Sequence, residues 1–397
     1  MPYFSSEKIA AVKIGLVFTG KISYNGHKWP AFDRGAYGSE DEIVKKLSVC
    51  VLFGGMSPEH EVSLRSAESV LTNLNKEKYN IFPVGITKTG EWILYGGDDY
   101  SELPSGKWQH CEANRKVALS PVRGQGLLNF EGDCVVRERI DVVFPVLHGE
   151  NGEDGSMQGL LQLSGIAYVG ANVAASATCM DKTLTKLVAD RAGIRQAAWR
   201  LVTAAELRGN VDRILDRMEA AFAYPMFVKP AGTGSSVGVA KVKNREALQR
   251  ALENAANYDT KILVEEFING REVEVAVLGN DAPAASVCGE IDAGTEFYDY
   301  DAKYISDCAR LHIPARIDEE TSERVRDTAI RIFEAMGCRG FSRVDFFVTY
   351  SGNEIVFNEI NTIPGFTSIS MYPKLFAASG IPYPELLDNL IELALED

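Results

Sequence analysis

The stretch LSVCVLFGG occupies residues 47–55 and decides the fold of the first half of the chain. A nearly continuous apolar run of this kind is typical of a parallel strand that is buried on both faces, and the two glycines end it. Apolar residues then recur at helical spacing, namely Leu64, Ala67, Val70, Leu71 and Leu74. The pattern predicts a strand followed by a helix, which is the repeating unit of α/β domains.

Two further strands are predicted in the same region, at residues 81–86 and 140–147. Pro83 favours a position at the sheet edge for the first of them, because proline lacks the N–H that an interior strand uses. The second strand ends at His148, and a glycine-rich turn leads from there into another helix. Together these elements predict a doubly wound α/β domain over residues 44–170.

The residues before this domain have a different character. An isolated apolar patch at residues 14–18 precedes a polar, aromatic stretch at residues 24–37, and no regular period continues through them. We expect residues 1–43 to be an extension of unknown role outside the core fold. The alternative hypothesis is that they are an annotation artefact and that the natural chain starts near Val44.

The rest of the chain predicts two smaller α+β subdomains. The central one, residues 171–264, contains a strand at residues 226–229 that leads into a Gly/Ser-rich loop. The carboxyl-terminal one, residues 265–397, contains an amphipathic helix closed by Gly337, then two strands and a final helix.

Composition limits the classes of function. The 397 residues are 46% hydrophobic and 24% charged, as in soluble globular proteins, and no apolar run of about 18 residues predicts a membrane span. The formal net charge of −14 disfavours nucleic acid as a partner, but it does not exclude small anions held by a few lysines. Seven scattered cysteines without a C-x-x-C motif predict free thiols in a reducing cytoplasm.

The most specific pattern is a pair of polar doublets on the two late strands. Arg343 and Asp345 are two residues apart in RVD, and Glu359 and Asn361 are two apart in NEIN. Because strand side chains alternate, each doublet lies on one face of its strand. Carboxylate and amide oxygens suit a hard cation such as Mg²⁺. A solvated face with ordinary charge pairs is the alternative, but the apolar flanks indicate buried strands, so we favour a metal site.

A glycine-rich loop follows the strand that ends at Lys229. Its glycines, at positions 232, 234 and 238, leave the backbone free to approach an anion. Many such loops only reverse the chain, but the neighbouring lysine favours phosphate binding. A second loop, FYDYDAKY at residues 297–304, carries Lys303 among four aromatic residues. It either closes over a site or packs on itself as an Ω-loop.

Two residues of the first domain are candidates for substrate contacts. Glu61 lies near the start of the first helix, where the helix dipole favours any carboxylate; the functional alternative is an anchor for a substrate ammonium group. His148 lies where open α/β sheets bind ligands. A ligand contact and a structural hydrogen bond fit its position equally well.

Eight motifs occur in order between Leu47 and Leu395: LFGGMSPEHEVS, LHGENGEDGSMQG, CMDK, FVKPAGTGSSVGV, VEEFINGREVEVAVLG, FYDYDAKY, FSRVDFF and NEINTIPGFTSISMYP. Together they resemble the D-alanine–D-alanine ligase family of the ATP-grasp superfamily. The resemblance implies a two-part ATP-grasp fold after the first domain, and a homodimer. It implies that ATP phosphorylates one D-alanine and that a second D-alanine attacks the acyl phosphate, with two Mg²⁺ ions, or Mn²⁺, as cofactors.

The resemblance also implies roles for individual residues around the nucleotide. The phosphate-binding lysines correspond to Lys182, Lys229 and Lys303. The stretch that contacts adenine contains Glu265, Phe267 and Ile268, and the ribose-binding carboxylate corresponds to Glu272. The metal ligands correspond to Asp345, Glu359 and Asn361.

Around the two D-alanines the resemblance implies a further set. Glu61, assisted by His148, corresponds to the acid that holds the first ammonium group. Ser235 and Tyr304 correspond to a hydrogen-bonded pair that, with Glu61, ties the closed loop to the site. Arg343 and the Gly365 N–H correspond to the groups that stabilise the oxyanion. Ser370 and Met371 correspond to the pocket of the second substrate.

Related ligases use other acceptors, and the sequence bears on each alternative. Tyr304 argues against D-lactate, because the D-lactate ligases carry a histidine there. Met371 favours D-alanine over D-serine, although an apolar pocket rejects an added hydroxyl by only about 10²-fold. A non-catalytic ATP-binding relic of the fold is the alternative from another class; the complete set of lysines, arginine and metal ligands disfavours it.

Overall fold

The computed structural model describes residues 45–292, 310–367 and 369–396, together with residues 23–24 and 27–28. The chain divides into two compact units, Met1–Lys45 and Lys46–Asp397. In the first unit, the short strands Ser23–Tyr24 and His27–Lys28 pair in antiparallel orientation. Among the described residues, no helix is both long enough and apolar enough to span a bilayer.

The second unit begins with an eight-stranded sheet. Its strands, in spatial order, are Ala167–Tyr168, Val142–Val146, Leu47–Gly54, Tyr79–Ile86, Trp92–Leu94, Arg115–Leu119, Leu127–Glu131 and Cys134–Glu138. The first four strands are parallel and the others are antiparallel. Its α-helices are His60–Asn73 and Ser156–Ser164, and the short 3₁₀ helices are Tyr100–Glu102 and Lys107–His110.

Both faces of strand Leu47–Gly54 are buried, as its apolar run predicts. Val49, Val51 and Phe53 belong to one hydrophobic cluster, which includes helix His60–Asn73. Cys50 and Leu52 belong to another, which includes helix Ser156–Ser164. Because alternate side chains point to opposite faces, a strand covered on both sides needs apolar residues at every position.

Pro83 lies in an interior strand, and the predicted edge position is wrong. Strand Tyr79–Ile86 has a neighbour on each side. The Pro83 carbonyl accepts a hydrogen bond of 2.8 Å from the Tyr95 N–H, just beyond the end of strand Trp92–Leu94. The N–H and C=O of one strand residue point towards the same neighbouring strand. The N–H that proline lacks would therefore point towards the end of strand Trp92–Leu94, where the regular hydrogen bonds between the two strands stop.

A four-stranded antiparallel sheet follows. Its order is Trp199–Thr203, Lys261–Glu266, Met226–Pro230 and Ala240–Val242. Helices Ala204–Gly209, Val211–Ala221 and Arg245–Ala255 accompany it, and the two longer ones bury leucine, isoleucine and methionine side chains against the sheet. Residues 265 and 266 complete a strand of this sheet, so a boundary at 264/265 would cut that strand.

The last sheet is antiparallel throughout and contains the polar doublets. Its order is Arg310–His312, Gly289–Asp292, Gly270–Leu278, Phe341–Thr349 and Ile355–Asn361, and Ala284–Ala285 also pairs with Gly270–Leu278. The accompanying helices are Val173–Met180, Lys182–Arg191, Glu319–Ala335, Met371–Ala378 and Tyr383–Ala394. The first three contribute to one hydrophobic cluster with this sheet. The last two belong to the cluster that also contains Val49 and Phe53 of the eight-stranded sheet.

Candidate active site

A cavity of about 880 Å³ is lined by residues of the four-stranded and six-stranded sheets and by loops of the eight-stranded sheet. It brings together most of the predicted site residues, namely His148, Lys182, Lys229, Ser235, Glu265, Phe267, Ile268, Glu272, Arg343, Glu359, Asn361, Gly365, Ser370 and Met371. Lys303 and Tyr304 lie outside the described residues. Asp345 does not line the cavity itself, but it contacts Arg343 and Asn361, which do. Glu61 does not line this cavity.

The two polar doublets lie opposite each other across neighbouring strands. Asp345 is paired in register with Glu359, and Arg343 with Asn361. Directly paired residues of antiparallel strands project from the same face, so all four side chains share one face. The Arg343 guanidinium donates two hydrogen bonds of 2.7 Å to the Asp345 carboxylate, and Asn361 Nδ2 donates to the same carboxylate at 3.1 Å.

This oxygen-rich face has the donor types that a small hard cation prefers. Glu359 and Asn361 reach the cavity, whereas Asp345 is only 2% exposed. Burial opposes the charge of Arg343, but the Asp345 and Glu274 carboxylates outweigh it and hold the Arg343 pKa well above its usual value. The set of two carboxylates and one amide fits Mg²⁺ by its chemistry.

Two lysines, Lys186 and Lys229, hold the buried carboxylate of Glu265. Glu265 Oε1 lies 2.7 Å from Lys186 Nζ, and Glu265 Oε2 lies 2.7 Å from Lys229 Nζ. Burial alone would raise the Glu265 pKa, but the two ammonium groups outweigh it and lower that pKa to about 2. Glu265 in turn overcomes the effect of burial on Lys229 and raises the Lys229 pKa. Both groups are therefore charged at neutral pH.

Lys182 is placed closer to the doublets. Its ammonium donates to the Thr233 carbonyl at 2.7 Å and lies 4.0 Å from Glu359 Oε2. Burial lowers its pKa. Lys186 is not among the predicted site residues, although it lies four residues from Lys182 on one helix, a spacing that places both on the same face. Lys182, Lys229 and Arg343 give the cavity the cationic groups that a polyphosphate requires.

The Gly/Ser-rich loop contacts the first sheet through Glu59. The Ser235 hydroxyl donates a hydrogen bond to Glu59 Oε1. A Cβ at Gly234 would lie 2.9 Å from Glu59 Oε2, so the glycine allows the carboxylate to approach the loop backbone. Ser235 and Ser236 both have positive φ angles, which shows how tightly this loop turns.

Of the two glutamates that flank His60, Glu59 lines the cavity and Glu61 does not. Glu61 lies in the first turn of helix His60–Asn73 and its carboxylate pairs with Lys88, which lowers the Glu61 pKa. The two glutamates are two positions apart, and on a helix at about 100° per residue that places them on nearly opposite sides. The predicted position of Glu61 in the substrate site is therefore wrong, and the alternative that the helix start explains this residue fits the structure.

His148 lines the cavity, but its ring is held on both sides by the protein. Its Nδ1 lies 3.0 Å from the Ile363 carbonyl and its Nε2 lies 3.1 Å from Ser66 Oγ. Burial lowers its pKa, so the ring is neutral at pH 7. The structure thus favours the structural hydrogen bond over a charged ligand contact.

Apolar and aromatic residues line another part of the cavity. The rings of Phe227 and Phe267 stack with centroids 6.2 Å apart, and Lys241 Nζ lies 4.1 Å from the Phe267 centroid. Ile268 and Glu272 also line the cavity. A planar ring bearing polar substituents fits such a surface.

A further part of the lining surrounds Gly365. A Cβ on Gly365 would lie 2.8 Å from Ser370 Oγ, so the glycine keeps this turn compact. Ser370 precedes helix Met371–Ala378, and its hydroxyl accepts a hydrogen bond of 3.0 Å from the Thr367 N–H.

Comparisons with known proteins agree with this geometry. The family model described as the D-ala D-ala ligase N-terminus matches residues 48–171, and the one for the C-terminus matches residues 188–392. The chain belongs to the D-alanine–D-alanine ligase family. It therefore has the ATP-grasp fold of that family, preceded by the doubly wound domain, as predicted.

Curated members of the D-alanine–D-alanine ligase family are similar over most of their length. The D-alanine–D-alanine ligase of Caldicellulosiruptor bescii is 52% identical over 352 residues, covering 88% of this chain and 96% of the relative. That of Acetivibrio thermocellus is 49% identical over 363 residues, with the same two coverages.

Solved structures of the family superpose on the protein. The VanG D-Ala:D-Ser ligase from Enterococcus faecalis has a TM-score of 0.80 at 41% identity, covering 88% of this chain and all of that one. The D-alanine-D-alanine ligase from Coxiella burnetii has a TM-score of 0.76 at 38% identity, covering 88% and 94%.

Proposed function

We propose that the protein joins two D-alanine molecules into D-alanyl-D-alanine, with ATP cleaved to ADP and phosphate, for peptidoglycan precursor synthesis. The supporting observation is that one cavity collects Lys182, Lys229, Arg343, Glu359 and Asn361, in a chain that belongs to this ligase family. A free carboxylate is a poor acyl donor. Transfer of the γ-phosphoryl group to one carboxylate oxygen supplies a leaving group. The amine of the second D-alanine then forms the C–N bond, the C–O bond to phosphate breaks, and the amine loses a proton.

The nucleotide is assigned to the wall that carries the lysines. Lys182 and Lys229, together with Lys303, bind phosphate oxygens as point charges. Phe267 and Ile268 contact adenine, and Glu272 binds the ribose hydroxyls. Glu265 takes part through its backbone, because both of its side-chain oxygens are held by lysines.

The metal is assigned to Asp345, Glu359 and Asn361, whose oxygens would hold Mg²⁺ or Mn²⁺. Bound there, the cation offsets negative charge on the phosphate oxygens. Arg343 and the Gly365 N–H stabilise the oxyanion of the tetrahedral intermediate. The carboxylate that receives the first ammonium group is Glu59, which accepts a hydrogen bond from Ser235. Tyr304 keeps the role in binding this loop that the resemblance implies. Ser370 and Met371 form the acceptor pocket.

D-serine is the second candidate acceptor, because a solved D-Ala:D-Ser ligase is 41% identical to the chain. The curated relatives at about 50% identity are D-alanine–D-alanine ligases and favour D-alanine. D-lactate and a non-catalytic role are the remaining alternatives. We also propose that the enzyme works in the cytoplasm, as a homodimer.

Acceptor competition tests the proposal. The purified protein is incubated with ATP, Mg²⁺ and D-alanine, alone or with equal D-serine or D-lactate, and the products are identified by mass spectrometry. We expect D-alanyl-D-alanine as the main product, formed together with phosphate. Arg343→Met should lower kcat by about 10²-fold or more, whereas Arg139→Met, at a surface arginine, should not. No dipeptide at millimolar D-alanine would overturn the proposal, and a mainly D-alanyl-D-serine product would replace it.

A further inference from the structure

Three residues of the first sheet's region hold the stretch that carries Gly365. The Ile363 N–H donates to Glu153 Oε1 at 3.1 Å, and the Ile363 carbonyl lies 3.0 Å from His148 Nδ1. The Phe366 N–H donates to Ser66 Oγ at 3.3 Å. Pro364 has no N–H to donate. The nearest N–H groups before and after Gly365 are therefore those of Ile363 and Phe366, and both donate to residues of the first sheet's region.

The donors and acceptors of these hydrogen bonds can be assigned without conflict. With the Ile363 carbonyl as acceptor, His148 Nδ1 carries the proton, so Nε2 is an acceptor in the neutral ring. Ser66 then donates its hydroxyl hydrogen to Nε2 and accepts from the Phe366 N–H. Ser66 is fully buried, so no water competes for its hydroxyl.

Glu153 completes the arrangement from the other side. Its Oε2 accepts from the Gly149 N–H at 2.9 Å while its Oε1 accepts from Ile363, and it lines the cavity. The adjacent Asp154 also accepts two backbone N–H groups, but both come from its own loop, at Asn151 and Ser156. Glu153 differs because one of its donors lies 210 residues away along the chain.

We propose that Glu153, together with Ser66, is a positioning residue that fixes the Gly365 N–H for oxyanion stabilisation. This rests on the proposed ligase function, in which that N–H binds the developing negative charge. A donor helps only if it is held where the oxyanion forms, and a shift of about 1 Å can cost a rate factor of 10². Glu153 supplies that restraint through its hydrogen bond to the Ile363 N–H.

Glu153→Gln separates this role from simple packing, because it keeps the size and shape of the side chain. Both carboxyl oxygens have lone pairs, whereas the amide nitrogen of glutamine has none and would face an N–H donor. We expect one of the two backbone bonds to be lost and the stretch 362–366 to loosen. Ser66→Ala removes the bond to Phe366 from the opposite end and should act in the same direction.

Hydrogen–deuterium exchange on the nucleotide-free protein tests the restraint directly. Peptides covering residues 362–367 should exchange at least about tenfold faster in Glu153→Gln than in wild type. Asp154→Asn is the matched control, and it should affect only peptides around residues 151–156. In steady-state kinetics, Glu153→Gln should lower kcat by about 10- to 100-fold and leave the KM for ATP within about twofold, because the phosphate-binding lysines are elsewhere.

The two readouts distinguish the possible failures. Unchanged exchange at residues 362–367 in both Glu153→Gln and Ser66→Ala would overturn the proposal. So would faster exchange with an unchanged kcat, because the restraint would then not serve the reaction. If the wild-type protein makes no dipeptide, the proposed function fails, and the exchange result decides by itself whether Glu153 restrains this stretch.

Discussion

Single side chains decide how the cavity is built. Glu59 and Glu61 show that two glutamates only two positions apart can lie in different surroundings. Both flank His60 in the same motif, yet only Glu59 reaches Ser235 and the cavity. The side chain of Glu61 is 52% exposed and pairs with Lys88. The difference depends on where helix His60–Asn73 begins, because the residue before a helix and the residue in its first turn project in different directions.

Matched amide substitutions test this assignment. Glu59→Gln should lower kcat/KM for D-alanine by about 10²-fold, because it removes a charge that faces the substrate ammonium group. Glu61→Gln changes the same type of side chain two positions away and should leave kcat/KM within about twofold. Steady-state kinetics at saturating ATP measures both. A larger effect for Glu61→Gln would reverse our placement of the substrate.

Glu153 makes stability depend on pH. Loss of hydration and the nearby Glu59 carboxylate raise its pKa from 4.5 to about 8, against the smaller opposite effects of two backbone N–H groups and Arg343. Between these values the folded protein keeps a proton that the unfolded chain has released. The stabilising contribution is therefore complete below about pH 4.5 and is lost as the pH rises through about 8.

The free energy of unfolding of wild type should accordingly fall, relative to that of Glu153→Gln, between pH 5 and pH 8. Denaturant titrations of both nucleotide-free proteins at pH 5, 6.5 and 8 measure the difference. The comparison cancels the groups that the two proteins share. A difference that is constant over this range, or that shifts in favour of wild type as the pH rises, would contradict the raised pKa.

At the scale of elements, strand Leu47–Gly54 is central because its two faces join two hydrophobic clusters. Phe53 packs edge-to-face on the buried Trp108, with ring centroids 5.1 Å apart. Strand Cys134–Glu138 is the opposite case, since it lies at the sheet edge and Val135 is 55% exposed. We therefore expect substitutions on strand Leu47–Gly54 to lower the free energy of unfolding more than substitutions on strand Cys134–Glu138.

Phe53→Ala should lower the free energy of unfolding by about 3–5 kcal/mol, because it leaves a cavity in a closely packed cluster. Val135→Ala on the edge strand should change it by about 0.5 kcal/mol or less. Urea titrations followed by the near-ultraviolet circular dichroism of the aromatic cluster compare the two. Equal losses would show that the cluster around Trp108 does not dominate the sheet.

Local patterns predicted strands Leu47–Gly54, Tyr79–Ile86 and Val142–Val146 and the two late strands, but not the four antiparallel strands between residues 92 and 138. The doublets of Arg343 with Asp345 and Glu359 with Asn361 share a face, as strand alternation requires. The contact of Lys186 with Glu265 could not be predicted, because a distance of 79 positions carries no periodic signal. Pro83 was misplaced because its tolerance depends on where a neighbouring strand ends, which is a property of the assembled sheet.

At the scale of the whole molecule, the motifs predicted which residues share a site but not which layers meet. Helices Val173–Met180 and Lys182–Arg191 fall in the predicted central subdomain, yet they share a hydrophobic cluster with the six-stranded sheet. An apolar face shows that a helix is covered, but it does not show which element covers it. The division at 44–170, 171–264 and 265–397 stays a prediction.

A chain that starts at Val44 should keep kcat and the melting temperature of the full-length protein, within about twofold and 2 °C. The family match begins at residue 48, and Met1–Lys45 forms a unit separate from Lys46–Asp397. Activity assays and thermal denaturation of the two chains side by side measure this. A loss of activity beyond tenfold would give residues 1–43 a role in the enzyme.

The final helix, Tyr383–Ala394, shares a hydrophobic cluster with the opening strand, and its Asp388 accepts a hydrogen bond of 2.7 Å from the Tyr79 hydroxyl. One face of the eight-stranded sheet is therefore covered in part by helix His60–Asn73 and in part by a helix about 300 positions further along the chain. Until helix Tyr383–Ala394 has been synthesised, the part of this face that it covers stays exposed. During synthesis this exposed apolar surface is where we expect chaperones to act.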